Sequence, residues 1–206
     1  KLGYLYVDTG AMYRAVTLYA IQNDYVGTGF INKEKLISSL SDIELKFEYN
    51  KDLKFSEIYL NGRNVEKDIR SIEVSKLVSM VSAVPEIRKK LVEQQHKMGK
   101  NRGLVMDGRD IGTVVFPDAE LKLFMTASPE KRANRRYKEL LDRGHEVTFK
   151  EILHNVELRD HLDSTRKDSP LKKAPDAIEF DNSDMGLREQ FDRIYHMAIM
   201  RIEESA

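Results

Sequence analysis

Two aspartates that follow short apolar runs are the first residues of this sequence whose positions suit chemistry. Residues 5–7 and 104–106 read as short strands, and they end at Asp8 and Asp107. Because open parallel sheets bind ligands beyond the carboxyl ends of their strands, these carboxylates could face a metal-bound phosphate. A single aspartate in such a place more often caps a helix or forms a turn. The occurrence of two leaves both interpretations open.

Three arginines share one face of a predicted helix that begins after Ser128. Arg132, Arg135 and Arg136 lie at positions i, i+3 and i+4. This group contains no acidic residue, so its charges repel one another unless a partner outside the group neutralises them. A polyphosphate is such a partner, because guanidinium groups match phosphate oxygens. Ion pairs within and between exposed helices are the alternative explanation.

The next predicted helix carries a second charged face, with Arg159, Asp163 and Arg166 at positions i, i+4 and i+7. Gly144 and His145, between the two helices, predict a flexible tip. Two arginine-bearing helices joined by such a tip indicate a lid that closes over an anion and excludes water.

Arg14 and Arg88 each lie one turn inside a predicted helix. A positive charge near a helix N-terminus opposes the helix dipole, and a bound anion would stabilise it there. A lone surface arginine needs no such explanation, so these two positions support an anion site only in combination with the others.

The elements that must position these side chains alternate between strand and helix, which predicts an α/β fold with a parallel sheet. The predicted strands cover residues 5–7, 104–106, 121–125 and 177–180. Of these, residues 104–106 have the apolar composition of a buried strand. Residues 43–70 differ, because alternating apolar residues and the hairpin signal Asn61-Gly62 predict a small antiparallel insertion.

Composition excludes several classes of protein. The 206 residues include 34 Lys and Arg against 34 Asp and Glu, so the formal net charge is zero, which argues against a general nucleic-acid coat. The absence of cysteine excludes disulfides, thiolate zinc sites and a cysteine nucleophile. Neither an apolar run of membrane-spanning length nor a signal peptide is recognisable, and we expect the protein in the cytoplasm.

Three motifs resemble those of bacterial cytidylate kinases. They read DTGAMYR at residues 8–14, DGRDIGTVVFP at residues 107–117, and arginine and aspartate at 159, 160, 163 and 166. The second motif is the most specific, and the resemblance extends over essentially the whole chain. It implies a P-loop-kinase-like parallel sheet flanked by helices, an antiparallel insertion that binds the nucleoside monophosphate, and a short helical lid. Enzymes of this family transfer the γ-phosphoryl group of ATP to CMP or dCMP with Mg²⁺, and so supply pyrimidine nucleotides.

The resemblance also divides the chain into a core, an insertion and a lid. The kinase core would comprise residues 1–39, 71–130 and 168–206, the insertion residues 40–70, and the lid with its flanking helices residues 131–167.

The same resemblance implies a role for each of several residues. Ser79, Arg88 and Asp110 match positions that read the cytosine ring, and Arg159 and Asp163 match the pentose contacts. The surroundings of the acceptor phosphate are matched by Thr9, Arg14, Arg109 and Arg166. The lid arginines for the ATP phosphates are matched by Arg132 and Arg136, and the strand-end acid near Mg²⁺ is matched by Asp107. Among them, Arg109, Arg166 and Asp107 are the implied catalytic residues. Phosphoryl transfer runs largely on positioning and charge neutralisation, which suits such a site.

One part of the family's pattern does not occur in this sequence. The family begins with a strand and a glycine-rich phosphate loop, whereas Gly-x-x-x-x-Gly-Lys is found nowhere in the chain. Residues 1–3 match the end of the helix that follows that loop. We therefore expect a preceding segment to supply the strand and the loop, and we expect the chain to be inactive without it.

Two alternatives to cytidylate kinase stay open. One is another nucleoside-monophosphate or small-molecule kinase of the same fold, and the other is a non-catalytic anion-binding module. Ser79, Arg88 and Asp110 favour cytidylate kinase over both, because aspartate and serine oxygens suit the exocyclic amino group of cytosine and arginine suits its acceptors. The expected partners are CMP or dCMP and ATP, with no nucleic acid and no membrane, and the expected state is a monomer.

Overall fold

The computed structural model of the chain describes residues 1–204. The chain divides into two units. The first contains residues 1–111 and 166–170, and the second contains residues 112–165 and the chain from residue 171 onward.

The first unit combines a parallel strand pair with a small antiparallel sheet and four helices. Its strands are β1 (Leu5–Asp8), β2 (Val26–Gly27), β3 (Phe30–Ile31), β4 (Leu45–Asn50), β5 (Phe55–Leu60), β6 (Arg63–Asn64) and β7 (Leu104–Asp107). Its helices are α1 (Thr9–Gln22), α2 (Lys33–Ser38), α3 (Ile72–Ser82) and α4 (Pro85–Met98), with 3₁₀ turns at Leu40–Asp42, Asp68–Arg70 and Gly99–Asn101. A π-helical turn, Ile111–Val115, follows β7 along the chain.

Strands β1 and β7 pair in parallel, and their register aligns Asp8 with Asp107. The two strand-end aspartates that the sequence singled out therefore lie side by side. One expectation for β7 is wrong, because Val105 is 49% exposed rather than buried. Among the described residues β1 is the only strand paired with β7, so the other edge of β7 has no strand partner there.

The predicted antiparallel insertion is confirmed as the sheet β4-β5-β6. Asn61 and Gly62 connect β5 to β6, and both have positive φ, at 50° and 78°. Positive φ at both central residues is the requirement of a type I′ hairpin turn, which Asn-Gly meets at little cost. The sequence signal and the observed turn thus have the same physical origin.

The core of the first unit forms around α1, α3 and α4. Helix α1 is buried on nearly all sides, including Met12 and Val16, and α4 buries Ile87 and Leu91. The insertion joins the same core through Ile58 and other apolar residues. The N-terminal parts of α1 and α4 therefore both pack against this core.

The second unit pairs β8 (Leu123–Thr126) in parallel with β9 (Ile178–Asp181), and its helices are α5 (Pro129–Asp142), α6 (Phe149–Thr165) and α7 (Leu187–Glu204). Ser128 caps α5 as expected, since its side chain accepts a hydrogen bond from the Lys131 amide. Thr148 and Glu151 exchange hydrogen bonds in a capping box at the start of α6.

Helix α7 shows the apolar spacing that the sequence predicted, yet none of its described side chains is fully buried. Parallel strand pairs, a small antiparallel sheet and flanking helices together confirm the predicted α/β class. Within residues 1–204, no helix combines the length and the apolarity that crossing a membrane requires.

Substitution of a core leucine tests the packing around α4. Leu91 is 1% exposed and Leu53, in the turn between β4 and β5, is 57% exposed. We expect Leu91→Ala to lower the free energy of unfolding by about 2–5 kcal/mol, since it leaves a cavity, and Leu53→Ala to change it by less than about 0.5 kcal/mol. Urea denaturation followed by circular dichroism measures both, and equal losses would contradict the assignment of Leu91 to the core.

Candidate active site

The first unit contains a buried ion pair between Arg88 and Asp110. The side chains of Arg88, near the start of α4, and Asp110, just after β7, are 5% and 6% exposed, and the guanidinium donates a hydrogen bond to the carboxylate. Arg88 also donates a hydrogen bond to the Ser82 carbonyl at 3.3 Å. Carbonyl groups at the end of a helix such as α3 lack partners within the helix, so this bond satisfies one of them. Charges this deep in a protein persist only when paired and hydrogen-bonded.

Tyr13 contacts the same pair. The Arg88 guanidinium lies over its ring, 5.5 Å from the centroid, in a cation–π arrangement. Burial raises the pKa of Tyr13 to about 12, against opposing effects of Arg88 and Arg166 and with a further rise from Asp110. Tyr13 is thus within electrostatic reach of three predicted site residues. Sequence reasoning did not select it, although its place in the motif before Arg14 was a usable signal.

The ends of β1 and β7 are joined by side chains as well as by strand pairing. The Thr9 hydroxyl donates to the Asp107 carbonyl at 2.6 Å. Asp8 caps α1 by accepting a hydrogen bond from the Ala11 amide at 3.0 Å, which confirms the structural interpretation of this aspartate. A Cβ atom at Gly108 would lie 2.4 Å from the Thr9 hydroxyl oxygen, so only glycine fits beside it.

Neighbouring groups shift the pKa of the Asp107 carboxyl group in both directions. Although the residue presents surface to solvent, surrounding atoms remove part of the carboxyl's hydration, and this effect and the nearby Asp8 raise its pKa. The Tyr6 hydroxyl, which donates to it at 3.1 Å, and the charge of Arg109 act in the opposite direction. Arg109 therefore lies in the electrostatic environment of the strand-end acids.

Two further predicted residues of this unit lie at helix ends. Ser79 occupies the last turn of α3, where its carbonyl accepts a hydrogen bond from Ser82. Arg166 was expected on the helical face of Arg159 and Asp163, but α6 ends at Thr165 and that expectation is wrong. The Arg166 guanidinium instead donates twice to the Ser169 carbonyl, at 2.8 and 2.6 Å.

Arg14 and Arg70 form hydrogen bonds that join the start of α1 to the Asp68–Arg70 turn. Arg14 donates to the Ile69 carbonyl at 3.2 Å and to the Ser75 hydroxyl at 2.9 Å. Arg70 donates to Asp8 at 2.8 Å. Sequence reasoning missed Arg70, since neither its spacing nor its neighbours distinguish it from a surface residue.

In the second unit, the three arginines of α5 have partners within the protein. Arg132 forms a bidentate pair with Asp160 at 2.8 and 2.5 Å, Arg135 donates to Asn182, and Arg136 pairs with Glu139 at 2.8 Å. The Asp160 carboxylate raises the pKa of Arg132. The argument that these charges need a ligand to relieve their repulsion is therefore wrong, because the chain supplies acids and amides for them.

Arg159 and Asp163 both lie on α6. Asp163 is buried, and its carbonyl accepts a hydrogen bond from the Leu171 amide at 2.8 Å, so the chain folds back along the end of the helix. Arg159 is half-buried one turn earlier.

A divalent cation fits the strand-end carboxylates only if other ligands complete its coordination. In the described part of the chain, no group of three or more metal-ligating side chains is present. Mg²⁺ in phosphoryl-transfer sites is characteristically held by one or two carboxylates together with substrate phosphates and water. Asp107 supplies a carboxylate of that kind, whereas both oxygens of Asp8 already accept hydrogen bonds, from the Ala11 amide and from Arg70.

The parallel strands with acids at their carboxyl ends, the antiparallel insertion and the clustered arginines define a nucleotide-kinase class of α/β protein. A family model described as "Cytidylate kinase" matches residues 1–199. Cytidylate kinases of Flavobacterium johnsoniae and Flavobacterium psychrophilum are 60% and 59% identical over 191 and 190 residues, covering 93% and 92% of this chain and 83% and 84% of theirs. That of Parabacteroides distasonis is 53% identical over 202 residues, covering 97% and 88%. The chain belongs to the cytidylate kinase family.

Loss of one partner of the buried pair should destabilise the first unit. We expect Asp110→Ala to lower the free energy of unfolding by about 3–5 kcal/mol, since it leaves the Arg88 charge buried without its carboxylate. Asp184→Ala removes an exposed partner of Lys131 and is expected to cost at most about 1 kcal/mol. Urea denaturation of both variants makes the comparison. A cost for Asp110→Ala as small as that for Asp184→Ala would show that the pair is effectively solvated.

Proposed function

We propose that this protein transfers the γ-phosphoryl group of ATP to CMP or dCMP, giving ADP and CDP or dCDP. The observation that carries the proposal is the buried pair of Arg88 and Asp110 against Tyr13. Membership of the cytidylate kinase family supports it, and the alternative kinases and the non-catalytic module have no comparable support.

The buried pair suits a cytosine ring. The Asp110 carboxylate, already bonded to Arg88 through one oxygen, has further lone pairs that can accept from the exocyclic amino group. Arg88 offers donors for the ring nitrogen and carbonyl, and Ser79 supplies a hydroxyl from the last turn of α3. Because Arg88 is held by Asp110, Ser82 and Tyr13, its donors are oriented before the nucleotide arrives, which lowers the entropic cost of binding.

Positive charge in the first unit suits the acceptor phosphate. Arg14, Arg109 and Arg166 supply guanidinium groups, and Thr9 supplies a hydroxyl at the start of α1, where helical amides and the dipole also favour an anion. In the second unit, Arg132 and Arg136 are the proposed contacts of the ATP phosphates, and they would exchange Asp160 and Glu139 for phosphate oxygens. Arg159 and Asp163 are the proposed pentose contacts.

The reaction needs no obligatory base. An oxygen of the acceptor phosphate attacks the γ-phosphorus in line, a P–O bond forms, the bond to the β-phosphate oxygen breaks, and ADP leaves. The arginines neutralise charge that develops on the transferred group and hold the two phosphates in line. Mg²⁺, when bound with the nucleotide, would supply further charge neutralisation, and Asp107 is the residue that would hold it or its water ligands. We further propose a monomer as the working unit and a cytoplasmic location, where CMP, dCMP and ATP are metabolites.

An acceptor panel tests the proposed function. ADP release by the full-length protein is measured with CMP, dCMP or AMP as acceptor. We expect kcat/KM for CMP and dCMP to exceed that for AMP by about tenfold or more, since each unmatched polar contact in a closed site costs about one power of ten. Equal turnover of AMP would favour another kinase of the same fold, and absence of acceptor-dependent ADP release would favour the anion-binding module.

A further inference from the structure

The short turn Asp68–Arg70 connects the antiparallel insertion to α3, and Arg70 at its end bridges two carboxylates. Its Nη2 atom lies 2.8 Å from Oδ2 of Asp8 and 2.8 Å from Oε1 of Glu66, and its Nε atom lies 3.1 Å from the same Glu66 oxygen. The side chains of Arg70, Asp8 and Glu66 are 31%, 21% and 13% exposed. The guanidinium therefore joins the insertion side of the turn to the N-terminal cap of α1.

Glu66 extends this connection into the insertion. Its second oxygen, Oε2, accepts a hydrogen bond from the Ile58 amide at 3.3 Å. Ile58 lies on β5 and is fully buried in the core. A continuous series of polar contacts thus runs from the backbone of β5 through Glu66 and Arg70 to Asp8.

A second connection runs in the opposite direction. The residue before Arg70, Ile69, is fully buried, and its carbonyl accepts a hydrogen bond from Arg14 on α1. Arg70 reaches from the turn to the start of α1, and Arg14 reaches from α1 to the turn. The two arginines together fix the turn against the first part of α1, which carries Thr9 and Arg14 themselves.

We propose that Arg70 is a positioning residue for the acceptor nucleotide. It holds the Asp68–Arg70 turn against the start of α1, and so fixes where Arg14 presents its guanidinium group to the acceptor phosphate. This inference rests on the proposed function, since it concerns the same acceptor site. It adds a residue that itself contacts protein carboxylates and acts through the residues it places.

The geometry explains why this position requires arginine. A guanidinium presents donors in a planar fork and reaches two carboxylates at once, whereas an ammonium is a point charge that cannot reproduce the fork. Arg63 on β6 offers a comparison, because it pairs with Asp68 of the same turn at 2.8 Å, and the two side chains are 69% and 41% exposed. Exposed pairs of that kind contribute little, since water and salt screen them.

Nucleotide binding by Arg70 variants tests the proposal. Calorimetric titration gives Kd for CMP and, separately, for ATP. We expect Arg70→Met to weaken CMP binding by about tenfold or more, with ATP binding changed by less than about twofold, because the lost contacts place acceptor residues only. Arg70→Lys should restore part of the CMP affinity. Arg63→Met, which removes a surface pair from the same turn, should leave both affinities as in the unsubstituted protein.

Each other result decides against a specific claim. CMP affinity within twofold of the unsubstituted protein in a folded Arg70→Met variant would overturn the proposal, as would equal losses for CMP and ATP, which indicate a general structural effect. If Arg70→Met does not fold, Glu66→Gln, which keeps the side-chain shape, gives the same comparison. Absence of CMP binding by the unsubstituted protein would instead contradict the proposed function.

Discussion

The buried ion pair between Arg88 and Asp110 is the interaction on which the rest of the site depends. Two charges can stay in a protein interior only if each satisfies the other and further hydrogen bonds complete their shells. Here the Ser82 carbonyl accepts one further hydrogen bond and the Tyr13 ring contacts the guanidinium, whereas the Nε atom of Arg88 is buried without a hydrogen-bond partner among the described residues. The pair consequently ties α4 to the chain after β7 and to α1, and it orients polar groups that a nucleobase could use without further rearrangement.

At the ends of the strands, single side chains also hold more than one part of the structure. Asp8 caps α1 and also receives Arg70, and the Thr9 hydroxyl fixes the end of β7 while it stands at the start of a helix. A helix N-terminus beside two carboxylates and several arginines balances opposite charges over a short distance.

The sequence predicted the elements well where a local signal has a direct physical cause. The Asn61-Gly62 turn is an example, because local backbone conformation decides it. Partners distant in sequence could not be predicted. Asp160 as the partner of Arg132, and the bridge made by Arg70, follow from tertiary packing, which residue spacing does not encode. The site residues were found largely through resemblance, whereas the structure supplies their contacts.

The central claim is that the buried pair reads cytosine, and the ratio of Kd values for UMP and CMP tests it most directly. Cytosine carries an amino group from which Asp110 is proposed to accept a hydrogen bond. Uracil carries a carbonyl at the same position. We expect the unsubstituted protein to bind CMP about tenfold or more tightly than UMP, and Asp110→Asn to lose most of that preference while it remains folded. A preference for CMP that is unchanged in folded Asp110→Asn would contradict the account.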